Sequence, residues 1–130
     1  MTTFLVGTDS AETSEKLLAY LESRVVDGDE VYAVNSLVGG DRSNDKDVLA
    51  GTEALEILKD GVGADTHQLI RGNSPQEDLL AFAEDHDIDE LVIGIRKRSP
   101  TGKMLFGSTA QDLLLETDLP VVAVPLVDAV

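Results

Sequence analysis

LVIGIRKRSPTGKMLFGSTAQDLLLETDLPVVAV, from Leu91 to Val124, is the stretch whose reading decides the fold. Leu91, Val92 and Ile93 form an apolar run that fits a strand buried on both faces, and Val121 to Val124 form a second one. Between them lie a loop opening at Gly94 and a helix that starts near Gly107-Ser108-Thr109 and reaches about Glu116. The loop holds Arg96, Lys97, Arg98 and Lys103, four of the ten basic residues in the chain. No Asp or Glu occurs from Leu91 to Gln111, although 25 of the 130 residues are acidic and about four would fall there at the average frequency. That pattern of charge predicts an anion at this loop.

The rest of the chain repeats the same alternation. Thr3 to Thr8 (TFLVGT) is apolar and β-branched without polar interruption, as a central parallel strand requires, and it ends at Asp9-Ser10. Leu17, Leu18, Leu21 and Val25 then recur at helical spacing, with Glu12 and Glu15 near the start, where the helix dipole favours negative charge. Asp27-Gly28-Asp29 is a turn, and Glu30 to Val38 is the second strand. After the polar connection Gly39 to Lys46, a second helix is predicted over about Asp47 to Asp60. Its buried stripe would be Val48, Thr52, Leu55 and Leu58, and Gly61 its left-handed stop. Asp65 to Arg71 is more polar and alternating, which fits an edge strand. Ser74-Pro75-Gln76-Glu77 is a capping box with proline at the first helical position, opening a third helix that ends near Asp87. Glu90 to Gly94 is strand four, and Val121 to Val124 strand five.

The order βαβαβαβαβ, without linker or internal repeat, demands a parallel sheet covered by helices on both faces. Five strands make a doubly wound, Rossmann- or flavodoxin-like α/β domain with expected strand order 3-2-1-4-5. Ligands of such sheets bind beyond the carboxyl ends of the strands where the winding reverses. Here that point lies between Gly7-Thr8-Asp9 and Ile93-Gly94.

Composition narrows the function. A chain of 130 residues suits one domain. The net charge of −15 implies self-repulsion that salt relieves, the pattern expected of a halophilic cytoplasm. It also argues against a nucleic-acid polymer as partner, which needs a broad basic face. Without cysteine there is neither a disulfide framework nor a thiolate metal site. No apolar run approaches the roughly 18 residues of a membrane span, and Met1-Thr2-Thr3 leads directly into a strand rather than a signal peptide. His67 and His86 are expected to be solvated, with no nucleophile beside either, so catalysis finds little support.

Glycines and hydroxyls at Gly94 and Gly107-Ser108-Thr109 suit a phosphate site, where free helix N–H groups and the dipole meet an anion. Each is also compatible with a plain turn or cap. The P-loop pattern does not fit, because seven residues separate Gly94 from Gly102 and Met104 stands where a metal-binding hydroxyl is needed. A dinucleotide fingerprint is absent after strand one. A phospho-accepting receiver domain would need an Asp at the end of strand three, where Ile70-Arg71-Gly72 stands.

On these residues the chain resembles the universal stress proteins, whose nucleotide-binding members carry G-x2-G-x9-G-[ST] between strand four and helix four. Gly94 and Gly107-Ser108 match the outer positions, and Lys97 replaces the middle glycine. The Thr8-Asp9 turn and the closing LPVVAVP (Leu119 to Pro125) are similar to the family's first turn and last strand, so the resemblance spans residues 1–130 as one domain. It implies an adenine nucleotide, ATP with or without Mg2+, as ligand. Asp9 would face the adenosine end, with Gly7 and Thr8 lining the cleft and Ser36 near the adenine. Ile93 and Gly94 would contact base and ribose, and Gly107, Ser108 and Thr109 would hold the phosphates. Lys97 would either block the close approach that glycine permits or add its own charge to the phosphates. Asp9 has a second reading as a cap of the following helix, a role that Ser10 and Glu12 also suit. The apolar run from Val121 to Val127 lies on a sheet edge, and the resemblance implies a homodimer through it. Three functions remain open: a nucleotide-binding regulatory protein with an unidentified protein partner, a nucleotide-free dimeric interaction module whose Lys97 loop takes only small anions, and a weak ATPase.

Overall fold

The computed structural model describes residues 1–37, 39, 44–95 and 108–126. Five strands, β1 (Thr3–Gly7), β2 (Glu30–Leu37), β3 (Asp65–Ile70), β4 (Glu90–Ile95) and β5 (Val121–Pro125), alternate with four helices. These are α1 (Ala11–Arg24), α2 (Asp45–Val62), α3 (Pro75–Asp85) and α4 (Ser108–Glu116). All strand pairs are parallel, in the order β3-β2-β1-β4-β5 that the sequence predicts.

Because strand side chains alternate between faces, the sheet divides the interior into two cores. Phe4, Val6, Val31, Ala33 and Val92 meet Leu17 and Leu21 of α1 and Leu55 and Leu58 of α2 on one side. Leu5, Val34, Leu91, Ile93 and Ile95 meet Leu79 and Phe82 of α3 and Ala110 and Leu113 of α4 on the other. The central strand β1 contributes Phe4, Leu5 and Val6 with no exposed surface at all, which is why its sequence shows no polar alternation.

Helix ends explain most local departures from expectation. Helix α2 begins earlier than predicted, because Asn44 caps it and Asp47 returns the bond as a second capping box. Asp45 and Lys46 therefore belong to its first turn. It stops at Gly63, in the left-handed conformation with φ 68°, and not at Gly61. Gly61 lies within the helix, and it is glycine because Leu18 of α1 packs where its Cβ would be. The buried stripe of α2 is Gly51, Ala54, Leu55 and Leu58; Thr52 is exposed, its hydroxyl bonded back to the Val48 carbonyl at 3.0 Å. The capping box at Ser74 and Glu77 forms as predicted.

The histidines correct the expectation of solvation. His86 stacks on Phe82 with ring centroids 3.8 Å apart, and its Nδ1 lies 3.0 Å from the Phe82 carbonyl. His67 sits 5.1 Å from the same Phe82 ring, and Tyr32 completes the cluster. Both imidazoles are half-buried because β2, β3 and the end of α3 converge there.

Candidate functional site

The β1–α1 turn is fixed from below by buried polar groups. The Thr8 amide donates to the Val34 carbonyl at 3.0 Å, and its hydroxyl lies 2.6 Å from that of Ser14. Ser14 commits its one proton to the Ala54 carbonyl at 2.8 Å, so Thr8 is the donor in the pair. Asn35, 1% exposed, donates from Nδ2 to the Thr8 carbonyl at 3.0 Å and accepts from Gln68 Nε2 at 3.1 Å. Gln68 also donates to the Val48 carbonyl at 3.0 Å. This brace ties α1, α2, β2 and β3 to the end of β1.

Above the brace opens a cleft of about 300 Å3 at the carboxyl edge of the sheet. Its floor is Val34 and Ser36 of β2, Gly7 of β1 with Thr8 directly after it, and Ile93 and Gly94 of β4. Asp9 and Thr13 form one wall, and the first turns of α3 and α4, through Pro75, Leu79, Thr109 and Ala110, form the other. Leu126 closes the β5 side. Two helices thus open toward the cleft at the point where the winding of the sheet reverses.

Of the residues singled out in the sequence, Gly7, Thr8, Asp9, Ser36, Ile93, Gly94 and Thr109 all line this one cleft. Asp9 is exposed at its rim, and the cap of α1 is Ser10, whose hydroxyl accepts from the Thr13 amide at 3.3 Å. The capping role is therefore filled by its neighbour. Lys97 and Gly107 lie outside the described residues, as do the side chain of Ser108, the bases Arg96, Arg98 and Lys103, and Val127. Among the described residues lining the cleft there is no cation and no histidine.

Gly94 differs from its expected role in one respect. The space over its Cα is filled by Leu126, with a Cβ at 94 standing 2.6 Å from Leu126 Cδ2. A chain segment 32 positions on, rather than a ligand alone, requires glycine there.

Sequence reasoning missed Asp78, on α3. It is 2% exposed, accepts from the Ser36 hydroxyl at 2.5 Å and accepts from Asn73 Nδ2 at 3.2 Å. The one signal in the sequence was its place one residue after the capping box, on the face that Leu79 and Phe82 also help to bury. Asn35 was equally hidden, a polar residue inside an apolar strand.

The family model of the universal stress protein family matches residues 1–125. A universal stress protein of Mycolicibacterium smegmatis is 53% identical over 53 residues, a match that spans 41% of this chain and 41% of that protein. A universal stress protein structure from Archaeoglobus fulgidus is 36% identical with a TM-score of 0.73, covering 95% of this chain and 98% of that one. Another from Archaeoglobus fulgidus, in complex with dAMP, is 31% identical with a TM-score of 0.69 over the same shares. With sheet order, extent and sequence in agreement, this chain belongs to the universal stress protein family.

Proposed function

We propose that this protein is a stress-response or regulatory protein that holds ATP, or a related adenine nucleotide, between the ends of β1 and β4. The observation that carries the reading is the 300 Å3 cleft, where seven residues named from the sequence line one hollow. That volume sits at the lower end of the roughly 300–1,000 Å3 typical of small-molecule sites and suits a nucleoside with its phosphates projecting outward. The base lies toward Ser36, the ribose over Gly7, Thr8, Asp9, Ile93 and Gly94, and the phosphates at the first turn of α4. There the N–H groups of the first turn, with Thr109, Gly107 and Ser108, receive them, and Lys97 adds charge. The Archaeoglobus fulgidus relative bound to dAMP supports an adenine nucleotide as the ligand class. On this reading hydrolysis is slow or absent, with or without Mg2+, and a hydrolysis rate lost on changing Asp9 would favour the weak ATPase instead. The protein acts in the cytoplasm as a homodimer through Val121 to Val127. Among the described residues β5 pairs only with β4, and its valines are half-buried, an apolar edge that a second copy would cover.

The deciding experiment is calorimetric titration of the purified protein with ATP at high salt, after chromatography of any nucleotide released on denaturation. Saturable one-to-one binding is expected. Lys97, standing at the family's middle glycine, favours a second reading as a nucleotide-free interaction module. If the wild type binds nothing and Lys97→Gly binds ATP, that reading replaces the first. Sedimentation equilibrium at micromolar concentration is expected to give the mass of two chains.

A further inference from the structure

Ser36 and Asp78 extend the nucleotide reading, and the role assigned to them rests on it. Ser36 is on the same face of β2 as Val34, and it lines the cleft. Its hydroxyl donates to Asp78 Oδ2 at 2.5 Å, while Asp78 Oδ1 accepts from Asn73 Nδ2 at 3.2 Å. A hydroxyl has one proton and two lone pairs. With the proton held by a carboxylate only 2% exposed, Ser36 has nothing but lone pairs to turn toward the cleft. At 2.5 Å this hydrogen bond is at the short, strong end of the range for a hydroxyl donating to a carboxyl oxygen, so a neutral ligand does not take the proton away.

Topology decides which end of a nucleotide meets this acceptor. Helix α4 follows β4 in the chain, whereas Ser36 lies near the end of β2, on the other side of β1. Two strand spacings of about 4.8 Å each separate β2 from β4. Phosphates drawn to α4 therefore leave the base over β1 and β2, against Ser36. We infer that Asp78 holds Ser36 as an obligate acceptor, and that Ser36 thereby selects purines presenting an N–H donor, the 6-amino group of adenine, over those presenting a carbonyl. Hypoxanthine and guanine would set oxygen against oxygen there, a mismatch that a polar site rejects more strongly than an apolar pocket rejects a change of size. Asp78 is a positioning residue: it acts through Ser36.

Asp78→Asn tests this without changing shape. Asn73 still offers a donor, which draws the new carbonyl oxygen to itself and leaves the amide nitrogen facing Ser36. Ser36 then accepts from residue 78, and its proton turns to the cleft. ATP and ITP share sugar and phosphates and differ at the base edge, so the ratio of their dissociation constants is the readout. The wild type is expected to prefer ATP by about tenfold or more, one hydrogen bond against one unpaired acceptor. Asp78→Asn is expected to bring the ratio close to one by weakening ATP and strengthening ITP, with the circular dichroism spectrum unchanged. A purely structural Asp78 would weaken both nucleotides alike and keep the ratio, which would overturn the inference. If Asp78→Asn does not fold, Ser36→Ala decides, because water entering from the cleft can then pair with Asp78. Loss of the preference supports the inference, and its retention overturns it. Equal binding of ATP and ITP by the wild type defeats this inference alone, whereas binding of neither defeats the nucleotide reading with it.

Discussion

Leu126 occupies the volume that any side chain at Gly94 would need: a Cβ there would lie 2.6 Å from Cδ2, 2.7 Å from Cδ1 and 2.8 Å from Cγ of the leucine. The branch carbon is involved as well as the methyls, so swinging the leucine's far end aside does not relieve the contact, and the Leu126 backbone is held by its amide bond to the Ile95 carbonyl at 2.8 Å.

Gly94→Ala is therefore expected to cost about 1–3 kcal/mol, the range for overpacking a well-filled interior. Denaturant melts would measure it. Leu126→Ala in the same chain should recover part of that loss, so that the two substitutions are not additive. Additive costs would show that the contact is not the cause.

The brace beneath the cleft makes a second prediction. Asn35→Ala removes the donor to the Thr8 carbonyl and the acceptor of Gln68, both inside the protein. A loss of about 1–3 kcal/mol in unfolding free energy is expected for leaving a buried group unsatisfied. Thr8→Val should cost a similar amount, because Ser14 would keep an acceptor with no donor. Ligand affinity should fall in both variants, since the Thr8 turn carries the floor of the cleft.

Two carboxylates, the exposed Glu77 and the half-buried Asp29, contribute to acid stability. Hydrogen bonds from the Ser74 hydroxyl and amide hold Glu77 below its ordinary value of 4.5. Bonds from the Val26 and Thr2 amides hold Asp29 below 3.8. A carboxylate whose folded value is depressed stabilises the native state at pH above its ordinary value, and that contribution is lost as pH falls through the folded value. Thermal melting between pH 7 and 5 should show no change from these groups, with a decline setting in below 4.5 and continuing below 3.8. Glu77→Gln and Asp29→Asn should flatten that decline. An equally steep acid limb in both variants would contradict the assignment.

Salt supplies a fourth prediction. With a net charge of −15, the folded chain repels itself across distances that screening shortens from about 10 Å at 0.1 M to about 3 Å at 1 M. The melting temperature should rise steadily with potassium chloride over that range. A flat response would mean that the carboxylates are spaced or paired well enough to be neutral toward folding.

Much of the architecture was readable in the chain. Apolar runs such as Phe4-Leu5-Val6 admit one interpretation, a strand covered on both faces, and the Ser74-Pro75-Gln76-Glu77 box fixes a helix start on local chemistry alone. Sheet order came from the alternation of elements. What stayed hidden depended on partners distant in sequence. Gly61 looks like a stop until Leu18 is known to press on it, and Gly63 carries the positive φ instead. The histidines read as solvated because nothing local announces that Tyr32 and Phe82 converge on them. In the cleft, backbone positions at strand ends were foreseeable from topology. Asp78 was not, since an acid in the first turn of a helix is ordinary on dipole grounds and its burial depends on Ser36, 42 positions away.

Gly51 has a consequence for how freely this chain can diverge. A methyl group at that position of α2 would stand 2.6 Å from Gln68 Nε2 and nearer still to Asn35 Oδ1. No larger residue fits without dislodging both amides from the lattice of bonds they share. Many side chains of the acidic exterior face only solvent, yet this spot has no synonym: one hydrogen atom is the widest occupant it tolerates.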